Sequence, residues 1–171
     1  MTRRFMTGVA GLLLLLAVFA AGWASAKMRV GSAVARASLS ERERRFADLL
    51  TGATLAGHFT IAGREDRGQQ VERYDISSAE KVGETEWRFT AHLKYASVDV
   101  TLPIVIPVEW AGDTPVMTLT GLSVPALGAP VGVRLVFYGD EYAGVWTHGK
   151  ARGQMFGRVE RTAGVAEKPN P

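Results

Sequence analysis

His58, His92 and His148 are the only imidazoles in the chain, and imidazole is the side chain most often recruited to a hydrolytic zinc centre. Their placement does not make one. No close-spaced pair of ligand-type residues occurs, His58 and His92 fall on the polar faces of alternating segments, and His148 sits beside a turn. No metal and no cofactor are therefore expected. Serines are scarce and none lies in a Gly-x-Ser-x-Gly elbow, so serine-hydrolase chemistry has no carrier. The carboxylates Asp75, Asp99, Glu109, Asp113 and Asp140 would serve a glycosidase-like dyad if folding paired two of them, but sequence alone pairs none. No catalytic residue is assigned.

Three further sets point to binding. Thr147 to Gly153 places Lys150 and Arg152 between glycines, where side-chain charge and backbone N–H groups can converge on phosphate or an anionic envelope polymer. The same residues are also ordinary hairpin-loop chemistry. Phe59, Trp87, Phe89, Tyr95, Trp110, Phe137, Tyr142 and Trp146 share the inward parity of their segments. Around a cavity they would line a site for a small apolar ligand, and packed together they would form a core. The uncharged loop 121–130, with Leu122, Val124 and Leu127, suits a lid over a barrel mouth, a partner or lipid contact, or packing under the sheet.

The segments that carry these residues alternate with period two. Leu55, Gly57, Phe59 and Ile61 share one face, and in 85–95 Trp87, Phe89, Ala91, Leu93 and Tyr95 alternate with polar residues. Half-buried antiparallel strands look like this. Alternation is weaker in 71–79. In 98–110 the even positions are apolar, while Pro103 and Pro107 share the other parity and remove two N–H donors from one ladder. A sheet edge or a barrel gap is expected there. A short strand follows at 116–120. Gly139-Asp140 reads as a two-residue type II′ turn that sets Phe137 opposite Tyr142, Leu135 opposite Gly144 and Val133 opposite Trp146. A loop at 148–153 and a last strand at 154–161 complete the pattern.

One helix precedes the strands. Ser40 and Glu43 have capping-box spacing, and Phe46, Leu49 and Leu50 form a narrow apolar stripe. No strand–helix–strand alternation follows, so the fold class is all-β: an antiparallel up-and-down barrel or strongly curved sheet of about eight strands, with one N-terminal helix.

Arg3 and Arg4 precede an apolar run from Gly8 to Trp23 that closes on Ala24-Ser25-Ala26, the pattern of an export signal cut after Ala26. The run falls just short of the roughly 20 residues that cross a bilayer core comfortably. Left uncut, it would anchor the domain to the outer face of the membrane, and residues 6–23 would be its membrane contact. Either way the protein is expected outside the cytoplasm. The organisation is then a leader at 1–26, a linker at 27–38, a helix-plus-β domain at 39–161 and a disordered tail at 162–171. Arg3 and Arg4 are two of the twenty basic side chains, and the remaining eighteen face seventeen acids, a net of +1. Such a balance offers nucleic acid no footprint. Cysteine is absent, which excludes disulfides and a lipobox anchor.

Two resemblances add to this. Gly57-His58-Phe59 after a short helix resembles the Gly-x-Trp signature that opens the first strand of lipocalins and other calycins, with Phe in place of Trp. It implies a ligand-holding barrel in which Arg158 plays the late arginine packed across that aromatic. Over residues 49–160 the chain is similar to a family of exported bacterial all-β proteins without an assigned activity. The motifs are Ala111-Gly-Asp-Thr-Pro115, Val136-Phe-Tyr-Gly-Asp140, Tyr142-Ala-Gly-Val-Trp146 and Gly153-Gln-Met-Phe-Gly157. That likeness implies export and an all-β domain. The combined expectation is an envelope binding module, holding a small apolar ligand inside or an envelope partner on its surface. An envelope hydrolase using carboxylates and a purely structural module are the alternatives. Mass spectrometry of the protein made in an exporting host is expected to find Lys27 as the first residue. A chain starting at Met1 would mean that the leader is kept.

Overall fold

A computed structural model describes residues 31–95, 98–123 and 128–161. The leader, the tail and residues 124–127 of the uncharged loop, with Val124 and Leu127, lie outside the described residues. Helix α1 (Glu41–Leu50) precedes eight strands: β1 (Ala53–Phe59), β2 (Gln70–Lys81), β3 (Glu86–Tyr95), β4 (Val98–Ala111), β5 (Thr114–Leu122), β6 (Val131–Tyr138), β7 (Glu141–His148) and β8 (Ala151–Arg161). Each strand pairs antiparallel with its neighbour in sequence, and β8 returns to β1, closing an up-and-down barrel.

Alternation dictates the closure. Leu55, Trp87, Phe89, Ile104, Ile106, Val108, Met117, Leu119, Leu135, Phe137, Tyr142, Met155 and Val159 point inward and are buried. The outward face carries ion pairs such as Arg88–Glu80 at 2.7 Å and Arg158–Glu141 at 3.1 Å. An apolar inside with a charged outside is the reverse of a bilayer-spanning barrel. Among the described residues no helix is long and apolar enough to cross a membrane.

Hairpin β6–β7 has the register expected from the sequence, with Phe137, Leu135 and Val133 opposite Tyr142, Gly144 and Trp146. Gly139 makes the turn at φ +61°, a conformation open to glycine at no steric cost. The loop expected at 148–153 is instead a tight turn at Gly149-Lys150, because the β7–β8 ladder continues to His148 opposite Ala151.

The prolines of β4 act as their parity requires. Val108 donates its N–H to the Thr85 carbonyl at 2.8 Å, so even-numbered N–H groups face β3 and odd ones face β5. Pro103 and Pro107 therefore leave two donors missing on the β5 side. The β4–β5 ladder is correspondingly short, pairing only Val108–Ala111 with Thr114–Met117. The barrel closes, but this seam is its thinnest.

Helix α1 caps one end of the barrel. Ser40 Oγ accepts from the Glu43 N–H, and Glu43 Oε2 accepts from the Ser40 N–H at 2.8 Å, which completes the capping box. Glu43 also receives the Lys81 ammonium of β2, tying the helix to the barrel wall. Burial alone would raise the Glu43 pKa, but the bonds from Lys81 and Ser40 outweigh it and hold the carboxyl below its ordinary range. Phe46 enters the mouth and meets Trp87, Trp110 and Phe137 edge-on, with ring centroids 5.2, 5.9 and 5.7 Å away. Replacing it by alanine is expected to cost about 3–5 kcal/mol, against about 1 kcal/mol for Ser40→Ala. Urea unfolding of both variants checks the ranking, and equal losses would contradict a plug role for Phe46.

Candidate functional site

The inward aromatics fall into two groups. Trp87, Phe89, Trp110 and Phe137 surround Phe46 at the helix end, and Trp87 is completely buried. Among the described residues its indole Nε1 is the one buried side-chain polar atom without a hydrogen-bond partner. Phe59 and Trp146 meet at 5.6 Å toward the other end, where Trp146 Nε1 donates to the Thr60 carbonyl at 3.1 Å. Tyr142 adjoins the first group, its ring centroid 6.1 Å from that of Phe137, but its hydroxyl has a partner of its own.

Tyr142 lies across the wall. Register places Glu72 beside Gly57, Gly57 beside Gly157 and Gly157 beside Tyr142, a row running over β2, β1, β8 and β7. The phenol spans the two glycines and donates to Glu72 Oε1 at 2.8 Å, with the Tyr74 hydroxyl 3.5 Å from Oε2. A Cβ on Gly57 would sit 2.5 Å from the phenol oxygen, and one on Gly157 would sit 2.8 Å from it. The backbone is closer still, with the Phe156 carbonyl 2.2 Å from the first Cβ and the Ala56 carbonyl 2.3 Å from the second, so the close approach of β1 and β8 requires both glycines and the phenol fills the space they leave. Glu72 is 6% exposed and Tyr142 2%. Burial raises the Glu72 pKa above the ordinary carboxylate range, and the two tyrosine bonds only partly offset it. Burial, with the adjacent carboxylate, also pushes the Tyr142 phenol up. Chemically the pair holds a proton inside the barrel at a higher pH than a solvated glutamate would.

Glu72 and Tyr74 escaped the sequence reading for an identifiable reason. A charged residue at an inward position weakens the alternation of β2, and a bulge between Ile76 and Ser78 then shifts its parity. The available signal was a glutamate facing a glycine on two neighbouring strands.

On the outer wall of β2–β4, His92 Nε2 is 2.6 Å from Asp99 Oδ1, and its Nδ1 is 3.9 Å from Asp75 Oδ2. Thr54, although on the polar face of β1, is buried and donates to Asp75 Oδ1 at 2.6 Å. A groove of about 250 Å³ runs beside this cluster, over Ser77 and Thr101. Folding thus joins two of the five candidate carboxylates around a histidine. Asp140 instead stands 3.9 Å from Arg158. His58 and His148 lie on β1 and β7, and among the described residues no group of three or more His, Cys, Asp or Glu side chains could hold a metal ion.

Arg158 does not play the calycin role. It points outward to Asp140 and Glu141, because even positions of β8 face solvent. Lys150 forms the exposed tip of the β7–β8 turn, and Arg152 projects from the outer face of β8.

The outer face of β6, β7, β8, β1 and β2 carries a row that is apolar except for His58. Cross-strand neighbours Val136, Ala143, Phe156, His58 and Val71 follow one another across five strands. Val71 is 77% exposed and Tyr138, beside Val136 on β6, is 82% exposed. Val145 adds to the same side, and the His58 and Phe156 rings lie 6.2 Å apart. A shallow groove of about 400 Å³ opens between Tyr138, Val136 and Phe156, floored by Ala143 and Gly157. Sequence reasoning gathered the inward aromatics and passed over this row, since single outward Val or Phe residues are unremarkable until register aligns them.

Comparison with protein-family models, with curated proteins and with solved structures finds no match to this chain.

The raised Glu72 pKa fixes a sign. The folded chain holds this proton more tightly than the unfolded one, so the contribution of Glu72 is most favourable below about pH 4.3 and is lost as pH rises toward its folded value. Relative to wild type, Glu72→Gln is expected to gain stability steadily over that rise, as read from urea midpoints at several pH values. Parallel pH profiles would contradict a raised pKa. Tyr142→Phe, which strips the carboxylate of its donor, should lose about 1–3 kcal/mol.

Proposed function

We propose that the chain is an exported binding module that works from its outer face, contacting an envelope partner through the row Val136–Ala143–Phe156–His58–Val71. The single observation behind this is that the row stands exposed across five strands while the inward rings are engaged with one another. Exposed contiguous apolar surface commonly marks contact sites. The calycin-like carrier reading draws on the same barrel, but a ligand at the helix end would have to displace Phe46 from Trp87, Trp110 and Phe137.

The hydrolase reading is favoured by one observation, the His92 cluster beside its groove. Against it, Asp75 Oδ1 already accepts from Thr54 Oγ1 at 2.6 Å, so one of the cluster's two carboxylates is engaged within the wall. His92 Nε2 is likewise occupied by Asp99. Hydrolysis by a carboxylate pair needs one member free to give a proton and the other free to act on water or substrate.

A photo-crosslinking amino acid in place of Phe156, and separately in place of exposed Glu109 on β4, tests the surface reading in cells that export the protein. A discrete adduct is expected from position 156 and none from 109. The same pattern at both positions, or none at 156, would overturn it. Native mass spectrometry showing an apolar molecule retained by the barrel, and released by Phe46→Trp, would favour the carrier.

A further inference from the structure

We infer that the partner of this face is a lipid surface with anionic headgroups, on which the folded barrel lies with its β6–β7–β8–β1 wall against the bilayer interface. The inference rests on the surface reading above and adds a membrane contact made by the domain itself, separate from residues 6–23.

Geometry favours a bilayer over a protein. The row is one side chain wide and, at roughly 4.8 Å per strand, about 19 Å long. Charged residues flank it immediately, with Glu141, Arg158 and Arg73 on one side and Arg134 on the other. A stable protein interface would call for a broader charge-depleted centre. Interfacial binding to lipid needs only a strip of apolar and aromatic side chains immersed at headgroup depth, with basic residues beside it. Tyr138, the most exposed large side chain of the patch, has the apolar ring and polar tip found at that depth.

The charge is arranged to match. On the Tyr138 side each arginine is neutralised: Arg158 by Glu141 and Asp140, and Arg73 by Glu160 and Asp75. On the other side Arg134 donates only to the Leu119 and Val133 carbonyls and to Thr120 Oγ1. Arg134, Lys150 and Arg152 have no acidic partner among the described residues. The patch is therefore an apolar strip with one uncompensated basic margin, which suits anionic headgroups and gives a neutral surface no electrostatic advantage.

Co-sedimentation of the chain from Lys27 onward tests this, since every described core residue lies between Leu39 and Val159. The vesicles are phosphatidylcholine alone, and phosphatidylcholine mixed with phosphatidylglycerol. Binding is expected to the mixed vesicles, to weaken with salt, and to be much lower on phosphatidylcholine alone. The double variant Val145→Ser/Phe156→Ser should abolish it. Arg134→Gln/Arg152→Gln should weaken it on the order of tenfold, and Arg152→Gln alone, whose side chain makes no hydrogen bond or ion pair among the described residues, should weaken it in the same direction. Val105→Ser, an exposed apolar position on β4, should leave it unchanged. Thermal melts matching wild type confirm that each variant is folded. Equal binding to both vesicles, or binding indifferent to the double serine variant, would overturn the inference. No binding to either vesicle alongside a position-156 protein adduct in cells would overturn the lipid partner and leave the surface reading standing. Failure of both experiments would remove the two together.

Discussion

Phe46 is the residue on which the barrel's interior depends. An eight-stranded barrel encloses a space that side chains can just fill or that can hold one small ligand, so the deciding question is whether the chain supplies its own occupant. Here helix α1 supplies a phenyl ring that meets Trp87, Phe89, Trp110 and Phe137, each edge-on. Such T-shaped contacts use the quadrupoles of the rings as well as their area. The ring is placed by polar contacts outside the core. Glu43 closes the capping box and takes Lys81, Arg42 lies 4.8 Å over the Trp110 ring and donates to the Gly112 carbonyl, and Arg161 donates to the Asp48 carbonyl from β8. A helix of ten residues would not be stable alone. Its stability and the filling of the mouth are one event.

What could be read from the chain divides along local and non-local lines. Period-two patterning placed the strands, and the turn chemistry of Gly139 fixed a hairpin register, because both are set within a few residues. The weak seam of β4 was legible from Pro103 and Pro107 by parity alone. The stripe Phe46, Leu49 and Leu50 announced a docking face, yet its target lay on three distant strands. Thr54 stands on the polar face of β1, where alternation leads one to expect exposure, yet Asp75 and Arg73 reach over it from β2, Arg73 to within 3.3 Å of its hydroxyl, and it is buried. Glu72 was invisible for a stronger reason: patterning assumes that a charge faces water, and its partner Tyr142 is seventy residues away.

That exception carries architectural information. Replacing a buried polar pair by well-packed apolar groups is often no loss in stability, so a buried carboxylate needs another account. Here the Tyr142–Glu72 bond links β7 to β2 across the β8–β1 junction, the place where the chain's two ends must find each other. A slip of one residue in β1 against either neighbour would put a side chain where Gly57 or Gly157 must be. A slip in β2 would turn Glu72 outward and leave the phenol buried without an acceptor. The bridge therefore penalises wrong closure more than it rewards correct closure, which is how polar groups in a core specify register.

The outer face follows from the same economy of edges. Val98–Pro107 has no strand neighbour on its β5 side, and two of its donors there are removed by proline, which makes it a poor template for an added strand. Association through backbone pairing is thereby discouraged. The apolar row lies away from that seam; at Val136, Ala143, Phe156 and His58 the strands are paired on both sides, and Val71 at its end pairs with β1, so contact with the row is chiefly through side chains. The β6–β7–β8–β1–β2 wall holds Val136, Phe156 and Val71 in line, and the Glu72–Tyr142 bridge favours the register of β2 and β7 on which that line depends.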